Sequence, residues 1–153
     1  MTRPARRTHA QSDAKHVREL ATTAAAEAVE RKGSDVSLLD LRGLTTATDW
    51  FVLVSGESDI QVRSIAERIE ERLVKEFDAR PWHVEGLKQT RWVLLDYVDF
   101  VVHVFHREAR AFYDLDRLWA DAPLERFGVE AEAEGGARGT KPRSTGDASR
   151  DEG

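Results

Sequence analysis

The chain contains no cysteine, which excludes disulfides, thiolate catalysis and Cys-based zinc sites. Its apolar runs fall far short of the ~20 residues that a spanning helix needs, so no membrane attachment is expected. An excess of positive charge is also missing. Lys plus Arg is 23 against 28 Asp plus Glu, a net charge of -5. Such a chain has no overall basic field to attract nucleic acid, and no direct sequence-specific nucleic-acid binding is expected. Arg3, Arg6 and Arg7 open the chain, but polar residues follow them where a secretory signal would turn apolar. A soluble cytoplasmic protein is the resulting expectation. Neither G-x-x-x-x-G-K-[ST] nor G-x-G-x-x-G occurs, so the two common phosphate-cradling loops are missing too.

What is present suits one domain with charged ends. Hydrophobic residues make up 41% and charged residues 33% of 153, which reads as a single core plus solvated termini. Residues 1–12 are polar and basic and read as a flexible arm. Residues 128–153 show no aromatics and no apolar period, cannot offset their ordering entropy, and read as a disordered tail. The folded domain is then expected at 13–127.

Within that domain, Val17, Leu20, Ala21, Ala24 and Ala28 recur at helical spacing. Ser12 or Asp13 is placed to cap the start of this helix, and Gly33 to end it in a left-handed conformation. A strand is expected at 36–41. A second follows at 50–55, apolar almost throughout and therefore central and buried on both faces. Ser58-Asp59-Ile60-Gln61 fits a capping box. After it Val62, Ile65, Ala66, Ile69, Leu73 and Phe77 form one stripe of a second helix. A third strand after Pro81 completes a βαβ crossover. Strands at 91–96 and 100–105 read as an antiparallel hairpin. A last helical pattern runs through Phe112, Leu115, Leu118 and Trp119 and stops before Pro123. The expected fold class is α/β, a mixed five-stranded sheet with helices packed on it.

Several constellations invite chemistry. His103 and His106 lie three apart on a strand, so their rings point to opposite faces and a shared metal is not expected. Asp96 and Asp99 flank the hairpin turn, where such residues shape turns; Asp40 and Glu85 lie on other strands. Turn shaping, partner binding and acid/base work all remain open for these carboxylates. Ser55-Gly56-Glu57-Ser58 leads into a helix N-terminus, a place for an anion or simply a capping box. Trp92, Leu94 and Asp96 share one face of their strand, with Val93, Leu95 and Tyr97 on the other. If helices cover only one face, Trp92 and its neighbours stay exposed, and an exposed aromatic patch marks a protein interface.

Seven stretches carry a resemblance that goes further. They are Asp40-Leu41-Arg42-Gly43, Thr48-Asp49-Trp50-Phe51, the run Ser55 to Arg63, His83-Val84-Glu85-Gly86, Trp92-Val93-Leu94-Leu95-Asp96, His103-Val104-Phe105, and the run Phe112 to Trp119. In order and spacing the chain resembles the ribosomal silencing factor family (RsfS, or Iojap) over about residues 13–125. One departure is Val98, where the family often has glycine in the hairpin turn. A valine there argues against a turn with positive φ.

The resemblance implies a nucleotidyltransferase-like fold without that class's chemistry, and no cofactor or metal. It also implies binding to the large ribosomal subunit through ribosomal protein L-fourteen, which blocks joining of the small subunit and lowers translation under nutrient limitation or in stationary phase. A nucleotidyltransferase-like enzyme and a large-subunit assembly factor are the competing expectations. The expected binding surface has Trp92, Leu94 and Asp96 at its middle and Tyr97, His83 and Glu85 around them. Such faces also pair with themselves when a partner is missing, so a homodimer of the free chain fits the same pattern.

Overall fold

In the computed structural model, residues 11–128 are described; the proposed arm up to residue 10 and the tail from 129 lie outside them. Helix α1 (Gln11–Glu30) precedes strands β1 (Ser34–Asp40) and β2 (Trp50–Gly56), then helix α2 (Asp59–Phe77). Strands β3 (His83–Glu85), β4 (Trp92–Asp96) and β5 (Phe100–His106) follow, then short helices α3 (Arg107–Tyr113) and α4 (Leu115–Leu118) and strand β6 (Leu124–Phe127). The fold is α/β with a mixed sheet, as expected, but the sheet has six strands in the order β3-β4-β5-β2-β1-β6. The strand missed by pattern is β6, four largely exposed residues pairing antiparallel with β1. Its side chains show no clear alternation, so only the pairing defines it.

Strands β2 and β5 are parallel neighbours at the centre. This is where continuous apolar sequence belongs, and both strands are buried along nearly their whole length. The crossover from β2 through α2 does reach a strand of the same sheet, but β3 lies at the far edge, with β4 and β5 between. Strand alternation sorts the side chains. Val52, Val54, Val93, Leu95, Val102 and Val104 face α1 and α2 in the main core. Leu39, Leu53 and Phe105 face the opposite side, where Ala109, Leu115 and Ala122 meet them.

Side chains tie the junction between α1 and α2. Ser58 caps α2 by accepting from the Gln61 N–H at 3.1 Å, while Gln61 Oε1 accepts from the Glu57 N–H at 2.6 Å. The Gln61 amide also donates to the carbonyls of Arg31 (3.3 Å) and Lys32 (3.1 Å), so one residue closes the start of α2 and the end of α1. The left-handed residue after α1 is Lys32 (φ 69), not Gly33. Glycine is required at 33 for a different reason: a Cβ there would collide with Val54. Helix α1 already includes Ser12 and Asp13, so neither precedes it as a cap. Between the helices, the nearly buried Glu27 accepts from Arg31 at 2.8 Å and from Arg72 at 3.2 Å, which compensates a carboxylate that would otherwise be costly to bury.

The hairpin turn corrects the expectation at Val98. Asp99 N–H donates to the Tyr97 carbonyl at 2.8 Å across Val98, whose φ is 73. This is a positive-φ γ-turn, strained for any residue and more so for a β-branched one. The Asp96 carboxylate supports it by accepting from the Val98 N–H at 2.8 Å.

Two stability measurements check these points. Ile69 is fully buried in α2, so Ile69→Ala should destabilise by roughly 2–5 kcal/mol in denaturant titration; a change below about 1 kcal/mol contradicts its place in the core. Val98→Gly should stabilise by about 1 kcal/mol, because relief of strain exceeds the added backbone entropy. A destabilised glycine variant contradicts the strained turn.

Candidate functional site: the half-covered sheet face

Among the described residues, the second face of the sheet has less helix cover than the first. Helices α3 and α4 are short and cover only the end of the sheet where β5 leads into α3. Their seat is built around Arg110, which is 9% exposed. Its guanidinium donates to both Asp116 oxygens at 2.9 and 3.0 Å, to the Asp35 carbonyl at 2.9 Å and to Ser55 Oγ at 3.0 Å. The bulge in β1 between Ser34 and Ser37, with Asp35 at φ 50, belongs to the same junction. Hydrogen bonding to Arg110 holds the Asp116 carboxyl below its ordinary range.

The pattern through Phe112, Leu115, Leu118 and Trp119 does not form one continuous helix. Asp114 takes a left-handed conformation (φ 52, ψ 52) and breaks it into α3 and α4. The break sends Leu115 into the sheet and leaves Phe112 80% and Leu118 70% exposed. Tyr113 packs at a tilt against Trp92 at 4.6 Å, and Phe112 meets Tyr113 edge-on at 5.0 Å. Trp92 also packs on Phe105 at 5.1 Å. An aromatic run therefore leads from the sheet out onto exposed surface.

Trp92 Nε1 donates to His103 Nδ1 at 3.0 Å. His103 is 4% exposed and packs edge-on against Phe51 at 4.4 Å. Burial, reinforced by the Arg110 charge, lowers its pKa from 6.5 to about 3. His106 belongs to another place and another job, accepting from the Glu108 N–H at the start of α3. Beside His103, away from α3, lies a depression of about 220 Å³. Leu94 and Phe51 line it, Thr48 comes from the loop after β1, and Trp119 stands opposite Phe51 at 6.0 Å.

The residues expected from sequence divide accordingly. Trp92 and Leu94 are half-buried on this face. His83 and Glu85 pair with Asp96 and Leu94 across the β3–β4 ladder, so they share it, and they bond each other at 2.7 Å. Gly86 must be glycine, since at φ 91 a Cβ would strike the Trp92 backbone. Asp96 is on the right face but only 8% exposed, with one oxygen engaged at the Val98 turn, so it forms a wall and not an exposed centre. Tyr97 lies on the opposite face from the others. It packs on the helix side against the main core, stacked on Phe100 at 4.7 Å, and burial raises its phenol pKa. Sequence reasoning missed Phe51, Thr48, Tyr113 and the exposure of Phe112 and Leu118. The signal available for the last two was Asp114, a residue type that tolerates the left-handed conformation.

Among the described residues no group of three or more His, Asp or Glu side chains is placed to hold a metal ion. No helix among them is long and apolar enough to cross a membrane. Among the described residues the domain is α/β, with one sheet face covered by helices and the other left half open and aromatic. The comparisons identify the family. Residues 14–152 match the model of the ribosomal silencing factor during starvation, and the chain belongs to that family. The match runs past the 13–125 expected from the motifs.

The chain is 41% identical over 101 residues to the ribosomal silencing factor RsfS of Bacillus subtilis, covering 66% of this chain and 85% of that one. It is 32% identical over 106 residues to the chloroplastic protein Iojap of Zea mays, covering 69% of this chain and 46% of the longer plant protein. A crystal structure of a Chromobacterium violaceum protein superposes with a TM-score of 0.65 at 32% identity, over 68% of this chain and 86% of that one. A Bacillus halodurans structure gives 0.59 at 34% identity, over 72% and 97%.

The buried imidazole makes a prediction about acid. His103 binds its proton near pH 6.5 when unfolded and near 3 when folded, so the unfolded state takes up the proton first. Stability should therefore fall as the pH drops below about 6.5, with a slope approaching ~1.4 kcal/mol per pH unit. Measured between pH 7 and 5, above the carboxylate range, His103→Phe should remove most of that slope. An unchanged slope contradicts the buried neutral imidazole.

Proposed function

We propose that the chain binds the large ribosomal subunit through ribosomal protein L-fourteen and, by occupying that surface, sterically keeps the small subunit from joining. Translation falls in consequence under nutrient limitation or in stationary phase. The observation that carries this reading is the open half of the second sheet face, where Trp92, Leu94, Tyr113, Phe112 and Leu118 place apolar and aromatic area in reach of a partner. Large aromatic groups at a desolvated centre supply most of the energy of a protein interface. The exposed His83–Glu85 pair lies on the β3 rim of that face, where polar contacts are expected. A chain with a net charge of -5 is steered toward a basic partner. Family membership supports the same reading.

Sucrose-gradient sedimentation of ribosomes with the purified chain tests it. Co-migration with large subunits and loss of whole ribosomes are expected. Nucleotide turnover without subunit binding would favour the enzyme reading instead. Phe112→Ala and Leu94→Lys act on side chains at the surface of the fold, so both variants should keep the wild-type circular dichroism. Each should weaken binding to the isolated L-fourteen protein by about 2 kcal/mol. Folded variants with wild-type affinity mean that another surface makes the contact.

A further inference from the structure

Four buried side-chain polar atoms among the described residues have no hydrogen-bond partner within the chain: Ser37 Oγ, Thr48 Oγ1, Tyr97 Oη and His103 Nε2. Two of them, Thr48 Oγ1 and His103 Nε2, belong to residues that line the same depression on the open sheet face. Buried polar groups are ordinarily paired, and leaving one unpaired is costly. Two such atoms on residues that line one depression leave a hydrogen-bonding demand unmet beside it.

The chemistry of that demand follows from Trp92. An indole N–H can only donate, so His103 Nδ1, which receives it at 3.0 Å, must be the bare nitrogen. A neutral imidazole then carries its proton on Nε2, and the ring presents a fixed N–H donor. The low pKa of His103 agrees with a neutral ring at physiological pH. Thr48 contributes a hydroxyl that both donates and accepts. The remaining walls include Leu41, Phe51, Leu94 and Trp119, together with Asp96. An apolar stem is therefore favoured, while an anionic tip is repelled by Asp96. At about 220 Å³ the space is smaller than the roughly 300–1,000 Å³ of small-molecule sites and suits a single side chain.

We propose that this depression receives a neutral side chain of the protein partner that ends in a carboxamide, a glutamine or asparagine. Its carbonyl oxygen accepts from His103 Nε2–H and its NH₂ donates to Thr48 Oγ1. The Trp92–His103 hydrogen bond is then a positioning device, holding the imidazole in the tautomer that can donate. Both orphan atoms are shut off from solvent in the free chain, so binding requires the rim to yield. That rim is made of the loop between β1 and β2 and of Trp119 just past α4, segments outside the sheet ladder. The inference rests on the reading that this face meets a protein on the large subunit.

The test uses the full chain, labelled with ¹⁵N-histidine, and two probes: purified large subunits and the isolated L-fourteen protein. Thr48→Val keeps the β-branched shape and removes a hydroxyl without a partner, so its Tm should equal or exceed that of the wild type. Its affinity for both probes should nevertheless fall about tenfold, the loss expected for one buried hydrogen bond. His103→Phe should weaken binding at least as much. In the wild type, the imidazole Nε2–H resonance should move downfield on adding the L-fourteen protein. If the wild type binds and Thr48→Val binds equally well, or the resonance does not move, the carboxamide pocket is wrong while the ribosome-binding reading stands. If the wild type binds neither probe, that reading fails and the inference falls with it. Should His103→Phe not fold, Thr48→Val and the resonance decide.

Discussion

The central pair β2 and β5 is apolar on both faces, and that one fact sets the demand the rest of the fold must meet. A strand pair of this kind needs cover on two sides. Helices α1 and α2 supply one side fully, with their alanines and the Ile65–Ile69–Leu73 stripe against the sheet. Among the described residues the other side receives α3 and α4, two short helices broken at Asp114. Within the described residues that cover runs out partway across the sheet, and the less covered part is where Leu94, Phe51 and the aromatic run from Trp92 lie.

Short helices cannot hold themselves on a sheet by apolar area alone, and Arg110 makes up the difference. Its guanidinium joins α3 to Asp116 at the start of α4, to the β1 bulge and to β2 in one bonded set. A planar, permanently charged fork suits such a junction better than a lysine would. The same charge, close to His103, adds to burial in keeping that imidazole neutral. One buried cation therefore seats the partial cover and conditions the chemistry of the exposed half beside it.

Much of the fold was legible because the signals were local. The α2 stripe was legible since one face of a helix repeats every three or four positions: Val62, Ile65, Ala66, Ile69 and Leu73 are buried, and Phe77 at its end packs partly buried against the core. The Ser58 cap was legible because a capping bond spans only three residues. Strand β6 was not legible: four residues without clear alternation become a strand only when β1 offers them a free edge. The Val98 turn was misjudged for a related reason. Local preference argues against positive φ at a valine, but the paired strands and the Asp96 carboxylate impose it.

For the open sheet face, the sequence by itself determined which side chains share a side of a strand. Alternation placed Trp92, Leu94 and Asp96 together and Tyr97 opposite. The tertiary structure alone decided which face stayed open and how each group is used. Asp96 became a wall because the hairpin drew its carboxylate to Val98. Phe112 and Leu118 became surface because Asp114 broke their helix. His103 and Thr48, fifty-five positions apart in the chain, came to line one depression because β2 brings β5 beside the loop that precedes it. Periodicity reports on neighbours within an element. Coverage, tautomer and unmet hydrogen bonds depend on groups distant in sequence, and only the packed fold brings those together.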